Sequence, residues 1–254
     1  MNVVYEHPLT EQTRLLIKLE TLFKEIEQSL RLKKNDFALT GLFRLIDLSD
    51  LASGRDLRFD LLKLLDRKNM SLKNLNRNPK VNLDLLKNTL ETIERTQKEI
   101  HSLDRVPGKN FENDEFIQVV KRKYSVKGSL YPFELPLLNF WINHNDDFHL
   151  DRIRNWLEGF IPIYDAVKLI LKITRESVEV LSLTAHGGVC EPESDNDSSI
   201  DLVRVILEPK ADVFPEISGN KHKLSIRFLT QENPWSKPVQ TSDSVRFKLA
   251  LSAL

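Results

Sequence analysis

His186 and Cys190 are the side chains whose types come nearest to catalysis, with Gly187 and Gly188 between them. A thiolate beside an imidazole is the cysteine-nucleophile arrangement, and the same two residue types also bind zinc. Each chemistry needs more than this pair. A zinc site needs further ligands, and no second pair of His or Cys stands near this one in the segment. His186-Gly187-Gly188 has the look of an oxyanion-hole tripeptide, but no serine-centred nucleophile elbow accompanies it. The segment reads as a flexible loop, followed by a solvated acidic run of Glu191, Glu193, Asp195 and Asp197. The 8 glycines form neither a phosphate-cradling loop nor a dinucleotide fingerprint. The expectation is a chain that is not an enzyme and has no cofactor and no metal; a small hydrolase centred on His186 and Cys190 is the competing idea.

Basic side chains on patterned elements are the stronger lead. Arg14 and Lys18 lie a turn apart on a first helix, and Arg58 and Arg175 belong to later ones. Lys121, Arg122 and Lys123 cluster ahead of a central segment. Lys223 and Arg227 share the face of a late strand opposite Leu224, Ile226 and Phe228, with Lys221 just before them. A guanidinium grips a carboxylate with two parallel hydrogen bonds, and a lysine adds a mobile point charge. Taken singly, each is more often a solubilising surface group; gathered, they make a pocket for an acidic peptide. The 37 basic and 37 acidic side chains leave a formal net charge of zero, which weighs against general polyanion binding. A nucleic-acid-binding module using the basic strand face remains the alternative, although that face lacks interleaved aromatics for base stacking.

These residues need elements to position them. Leu15, Leu16, Leu19, Leu22, Phe23, Ile26 and Leu30 recur at helical spacing behind Thr10, a cap residue, and Glu11. Helices follow from about Asp36 to Ser53-Gly54 and from about Asp56, until Asn76-Arg77-Asn78-Pro79 breaks the chain. A fourth helix carries Leu83, Leu86, Leu90 and Ile93 in a narrow stripe with Ile100, and the polar Gln97 on the seam. Such a stripe serves either packing within a bundle or a helix pair between subunits. Asp114 to Lys123 forms a short helix, whereas Leu135 to Trp141 reads as an edge strand or extended segment because of its proline. Asp151 to about Ser177 reads as a long helix kinked or split at Gly159 and Pro162. After it, 202–207, 224–228 and 245–251 alternate as strands. The fold class is therefore α+β: a helical-bundle domain plus a smaller β-rich domain, with a helix inserted between two β parts. Residues 1–124 and 150–181 are assigned to the first, and 125–149 and 182–254 to the second. The 254 residues carry 41% apolar side chains and one cysteine, with no apolar run near the roughly 20 residues of a membrane span. No signal pattern opens the chain, since Glu6 and His7 interrupt it, so the cytosol is the expected compartment.

Three segments, in order, carry a resemblance. They are Tyr5-Glu6-His7-Pro8-Leu9-Thr10-Glu11, then Lys127-Gly128-Ser129-Leu130-Tyr131-Pro132-Phe133-Glu134-Leu135-Pro136 with Asn139-Phe140-Trp141-Ile142, and finally Pro215-Glu216-Ile217-Ser218-Gly219-Asn220-Lys221-His222-Lys223. Together they resemble the ZapD (YacF) family of bacterial cell-division proteins. That resemblance implies a helical domain, a smaller β-rich domain and a homodimer formed through the helical part, here by Leu83, Leu86, Leu90 and Ile93. It also implies that the partner is the short, acidic C-terminal tail of the tubulin-like protein FtsZ, whose filaments the dimer cross-links at the mid-cell division ring. Family positions implicated in gripping the tail fall on Arg14, Lys121, Lys221, Lys223 and Arg227. Lys18 stands where relatives are expected to have arginine, and Asn139 where a histidine is expected.

Overall fold

The computed structural model describes residues 2–32, 35–54, 56–75, 81–104, 106–126, 133–192, 200–220 and 223–252. Strand β1 (Val3–Pro8) precedes helices α1 (Glu11–Leu32), α2 (Asn35–Ser53), α3 (Leu57–Asn74), α4 (Leu83–Ser102), α5 (Lys109–Glu112), α6 (Glu115–Tyr124), α7 (Pro136–Ile142), α8 (Asp146–Glu158) and α9 (Ile161–Glu176). Strands β2 (Leu181–Ala185), β3 (Val189–Cys190), β4 (Leu202–Leu207), β5 (Phe214–Gly219), β6 (Leu224–Thr230), β7 (Val239–Gln240) and β8 (Val245–Ser252) follow. The fold is α+β, a helical region and a β-rich part. By contacts the chain divides into Lys18–Ile170 and a discontinuous unit of Met1–Ile17 with Leu171–Leu254, the division falling inside α1 and α9.

The unit from Lys18 to Ile170 is helical, and its sequence sets where the helices begin. Asp56, Asn82, Asp114 and Asn145 each accept a backbone N–H from the first turn of α3, α4, α6 and α8. Each such cap satisfies a donor that the helix leaves orphaned and contributes about 1 kcal/mol. Leu61, Leu64 and Leu65 of α3 and Leu86, Ile93 and Ile100 of α4 are buried where these two helices pack. Gly159 ends α8 and Pro162 sits in the first turn of α9, giving two abutting helices where a kink or a split was expected. Gly108 adopts φ +71°, and a Cβ there would strike the ring of Phe160, while a Cβ on Gly159 would lie 2.9 Å from the Gly108 Cα. Two backbones meet at this point with no room for a side chain.

The second unit is a two-sheet sandwich. One sheet has the order β1-β4-β8-β2 and the other β3-β6-β5, with β7 also on β6; all pairs are antiparallel. Val203, Val205, Leu207, Phe247 and Leu249 of the first sheet share a core with Leu224, Ile226 and Phe228 of the second. The period-two alternation over 224–228 and 245–251 puts those side chains inside and Arg227, Arg246 and Lys248 outside.

Several expectations need correction. The segment Leu135–Trp141 is not extended: α7 begins with Pro136 at its first position, where the missing N–H has no helical partner to lose. Leu135, Leu138 and Trp141 are buried at a spacing of three, the helical period. The described part of 125–149 is therefore helix and turn rather than β. The leading β part is instead β1, whose register pairs Tyr5 with Val205 and Glu6 with Arg204. Ile217-Ser218-Gly219 of the third motif segment belongs to β5. His186-Gly187-Gly188 is an ordered turn between β2 and β3, with φ of 59° and 71° at its glycines. The break at Asn76–Pro79, the motif residues Lys127–Pro132, and Glu193, Asp195, Asp197 and Lys221 lie outside the described residues.

Candidate functional site

The basic residues singled out from sequence fall into two groups, those held by the chain itself and those left to solvent. In the sandwich unit, Arg175 is held. Its Nε and Nη2 donate to the two carboxylate oxygens of Glu6 at 2.8 and 2.7 Å, the fork geometry expected of arginine on a carboxylate. Arg204 joins the same carboxylate at 3.1 Å and donates to the Arg175 carbonyl. This cluster ties β1, β4 and the last turn of α9 together. Arg227 pairs with Glu216 directly across the β5–β6 ladder, both about half exposed. Arg14 lies 3.6 Å from Glu11 on the solvent side of α1, a weak exposed pair. His7 has its pKa lowered by burial and then by the Arg14 charge. Lys223 is exposed, its backbone N–H donating to the Asn220 side chain.

In the helical unit, Arg58 donates to the Leu103 carbonyl at 3.0 Å and so closes the C-terminal end of α4. Lys121 reaches Asp50 at 2.9 Å and Glu112 at 3.0 Å. Burial pulls its pKa down, and hydrogen bonds to those two carboxylates outweigh this and raise it. Lys18 is exposed on α1, and Asn139 is exposed on α7 with its side chain accepting from Asn143. Of the hydrophobic stripe on α4, Leu86 and Ile93 are buried within the chain, Leu90 is half-buried and Leu83 is exposed.

Two surfaces emerge that the sequence did not single out. One is an apolar groove of about 460 Å³ between α6, α7 and α8, where Leu137, Phe140 and Phe148 stand exposed. Arg152 lies at its wall, with its guanidinium 4.8 Å from the ring centroids of both Phe116 and Trp156 and paired to Asp114. Asp114 also accepts from the Trp156 indole at 3.0 Å. Burial raises its pKa, but the hydrogen bonds from Trp156 and Arg152 overcome that and hold it below the ordinary carboxylate value. The other surface is a concavity of about 240 Å³ on the outer face of the first sheet, edged by Arg246 and Lys248. Both are exposed and make no ion pair with a described residue. The sequence signal was present as a basic face on strand 245–251, yet only the register identifies its neighbours, Thr184 and Ser182.

The geometry around Cys190 differs from that of a nucleophile. Burial pushes its thiol pKa up, away from the thiolate. His186 instead stands 3.3 Å from the Ser244 hydroxyl. Among the described residues no cluster of His, Cys, Asp and Glu is arranged to hold a metal ion, and no helix is long and apolar enough to cross a membrane.

Comparison with known proteins gives this architecture a class. Residues 17–227 match the family model described as a cell division protein. The chain is 29% identical to the cell division protein ZapD of Chromobacterium violaceum, covering 97% of this chain and 98% of that one. It is likewise 29% identical to ZapD of Methylococcus capsulatus and 28% identical to that of Nitrosomonas europaea, each over 99% of this chain. The chain belongs to the ZapD family.

Proposed function

We propose that this chain is a non-enzymatic division factor that binds the acidic C-terminal tail of FtsZ and, as a dimer, cross-links FtsZ filaments in the cytoplasm at the mid-cell ring. The observation that carries this reading is a match to one family of cell division proteins along nearly the whole chain. Physical chemistry supplies the rest. Lys18 and Lys223 are exposed and make no ion pair with a described residue, and Arg14 and Arg227 hold only exposed carboxylates that a competing acidic chain displaces at little cost. Arg58, Lys121 and Arg175 act differently: each is committed to partners within its own unit.

Dimer formation is supported by apolar exposure on one helical hairpin. Arg58 at the start of α3 meets Leu103 at the end of α4, so the two helices run antiparallel. Met70 and Leu75 at the end of α3 then lie toward Leu83 and Leu85 at the start of α4, and all four are exposed, Met70 at 70% and Leu85 at 63%. Clustered apolar side chains of this kind mark protein interfaces. A dimer carries two tail sites, and binding the first raises the local concentration for the second, so avidity exceeds single-site affinity by about 10²–10⁴.

Co-sedimentation with GTP-polymerised FtsZ tests the reading directly. Pelleting with full-length FtsZ and not with a tailless form is the expected result. Equal pelleting with both, or with neither, overturns it.

A further inference from the structure

The outer face of the first sheet carries a second, independent message. Leu202, Ala250 and Ser252 are fully buried at one end of that face, whereas Val4, Ser182, Thr184, Arg246 and Lys248 are exposed at the other. Register arranges the exposed end in rows: Val4, Ile206, Lys248 and Ser182 lie side by side across the strands, and Arg246 lies beside Thr184. The row ends at β2, which among the described residues pairs only with β8 and so leaves one edge of the sheet open. Val180 and Leu181, at the start of that edge, are 45% and 46% exposed. An open edge of this kind is a template for another strand.

We propose that an acidic peptide in extended conformation adds to the free edge of β2 and sets its carboxylates on Arg246 and Lys248. Spacing favours a peptide over a lone phosphate. Arg246 and Lys248 are two residues apart on one strand face, about 6.8 Å. Same-side side chains of an added strand repeat at that same distance, so alternate carboxylates match alternate cations. Ser182 and Thr184 lie between the edge and these cations. Their short side chains leave a path over which the long basic side chains reach the added strand. Charge complementarity favours an acidic chain: neither cation has an ionic partner among described residues, and Glu208 is the one carboxylate lining the concavity. Nucleic acid fits less well, because no aromatic side chain points outward from this face for a base to stack on. Main-chain hydrogen bonds then supply affinity and the two cations supply selectivity, the pattern of strand addition.

The inference does not depend on which protein supplies the acidic chain, and the test uses a synthetic one. Fluorescence anisotropy of the full chain is measured with a labelled peptide alternating Glu and Thr. The comparison probes are the Gln-for-Glu peptide, the same peptide N-methylated at alternate residues in each register, a single-stranded oligonucleotide, and inorganic phosphate as competitor. The acidic peptide binds, and its Gln counterpart binds at least about tenfold more weakly. The double variant R246Q/K248Q loses a similar factor, whereas Lys237→Gln, an exposed cation elsewhere in the same unit, stays within about twofold. One N-methylated register weakens binding by about tenfold, because it blocks the donors of an added strand. Unaltered thermal melting of R246Q/K248Q, whose changed side chains are exposed, shows that the fold is intact. No binding of the acidic peptide, full binding by R246Q/K248Q, indifference to N-methylation in both registers, equal affinity for the oligonucleotide, or complete displacement by phosphate each overturns the proposal. Failure of FtsZ pelleting alongside peptide binding removes the earlier reading and leaves this one standing.

Discussion

Asp114 combines three roles in one carboxylate: it caps α6, receives both contacts of the Arg152 Nη2, and accepts from the Trp156 indole. Asp114→Ala removes the cap and leaves Arg152 without its partner, so we expect a loss of about 2–4 kcal/mol by denaturant unfolding. Asp114→Asn keeps an oxygen for the cap and costs about half as much. The sign of the pH effect follows from the lowered pKa. The contribution is fully present above the ordinary value of 3.8 and is lost as pH falls through the lower folded value. Thermal melts between about pH 2 and 5 should therefore decline more steeply for wild type than for D114N. At this scale the sequence was only partly legible. It identified basic residue types, but Arg175 and Arg58 carry carboxylate and carbonyl partners 169 and 45 positions away, a pairing that local pattern does not encode. For the same reason it passed over Arg246 and Lys248, whose significance lies in what they lack.

Among the elements, apolar stripes were legible even in the short α6, whereas α7 and β1 were not. The first helix, the pair α8 and α9, and strands β4, β6 and β8 follow from their periods, because each buries a face that the pattern marks. Helix α7 was misread because its proline was weighed as a helix breaker and not as a first residue. Strand β1 gave little signal, since edge position leaves Val3 and Val4 exposed. The meeting of Gly108 and Gly159 gives a sharper test of element packing. Gly108→Ala puts a Cβ at positive φ and against Phe160, so we expect destabilisation of about 2–4 kcal/mol, measured by thermal unfolding. Gly54→Ala, where a Cβ meets only the Asp50 carbonyl at 3.5 Å, should change stability by less than about 1 kcal/mol.

At the level of the whole molecule, the proposed bridging needs two tail sites joined by one interface, so dimerisation and tail binding should separate by mutation. Leu83→Asp with Leu85→Asp changes exposed side chains and should leave the helical content seen by circular dichroism unchanged. Light scattering should then give the monomer mass, filament bundling should vanish, and binding of a single tail peptide should persist. A monomer that bundles as well as wild type contradicts cross-linking. Arg227→Glu should do the reverse, keeping the dimer and weakening tail binding by about tenfold. Raising salt beyond about 0.1 M, where the screening length is about 10 Å and still shortening, should weaken tail binding in wild type on the proposed reading. Unchanged binding across a salt series would mean that apolar contacts dominate.

The placement of β1 on the edge of the first sheet, against β4, has a consequence for biosynthesis. A ribosome makes Val3–Pro8 before the helices, yet its partner Leu202–Leu207 emerges only after every described helix, and β8 later still. The helical unit has all of its residues in hand while the sandwich still lacks most of its strands. Until translation reaches β4, β1 is an unpaired strand bearing Val3, Val4 and Tyr5. It is exposed to chaperones and to premature pairing throughout the synthesis of the helices that separate it from β4.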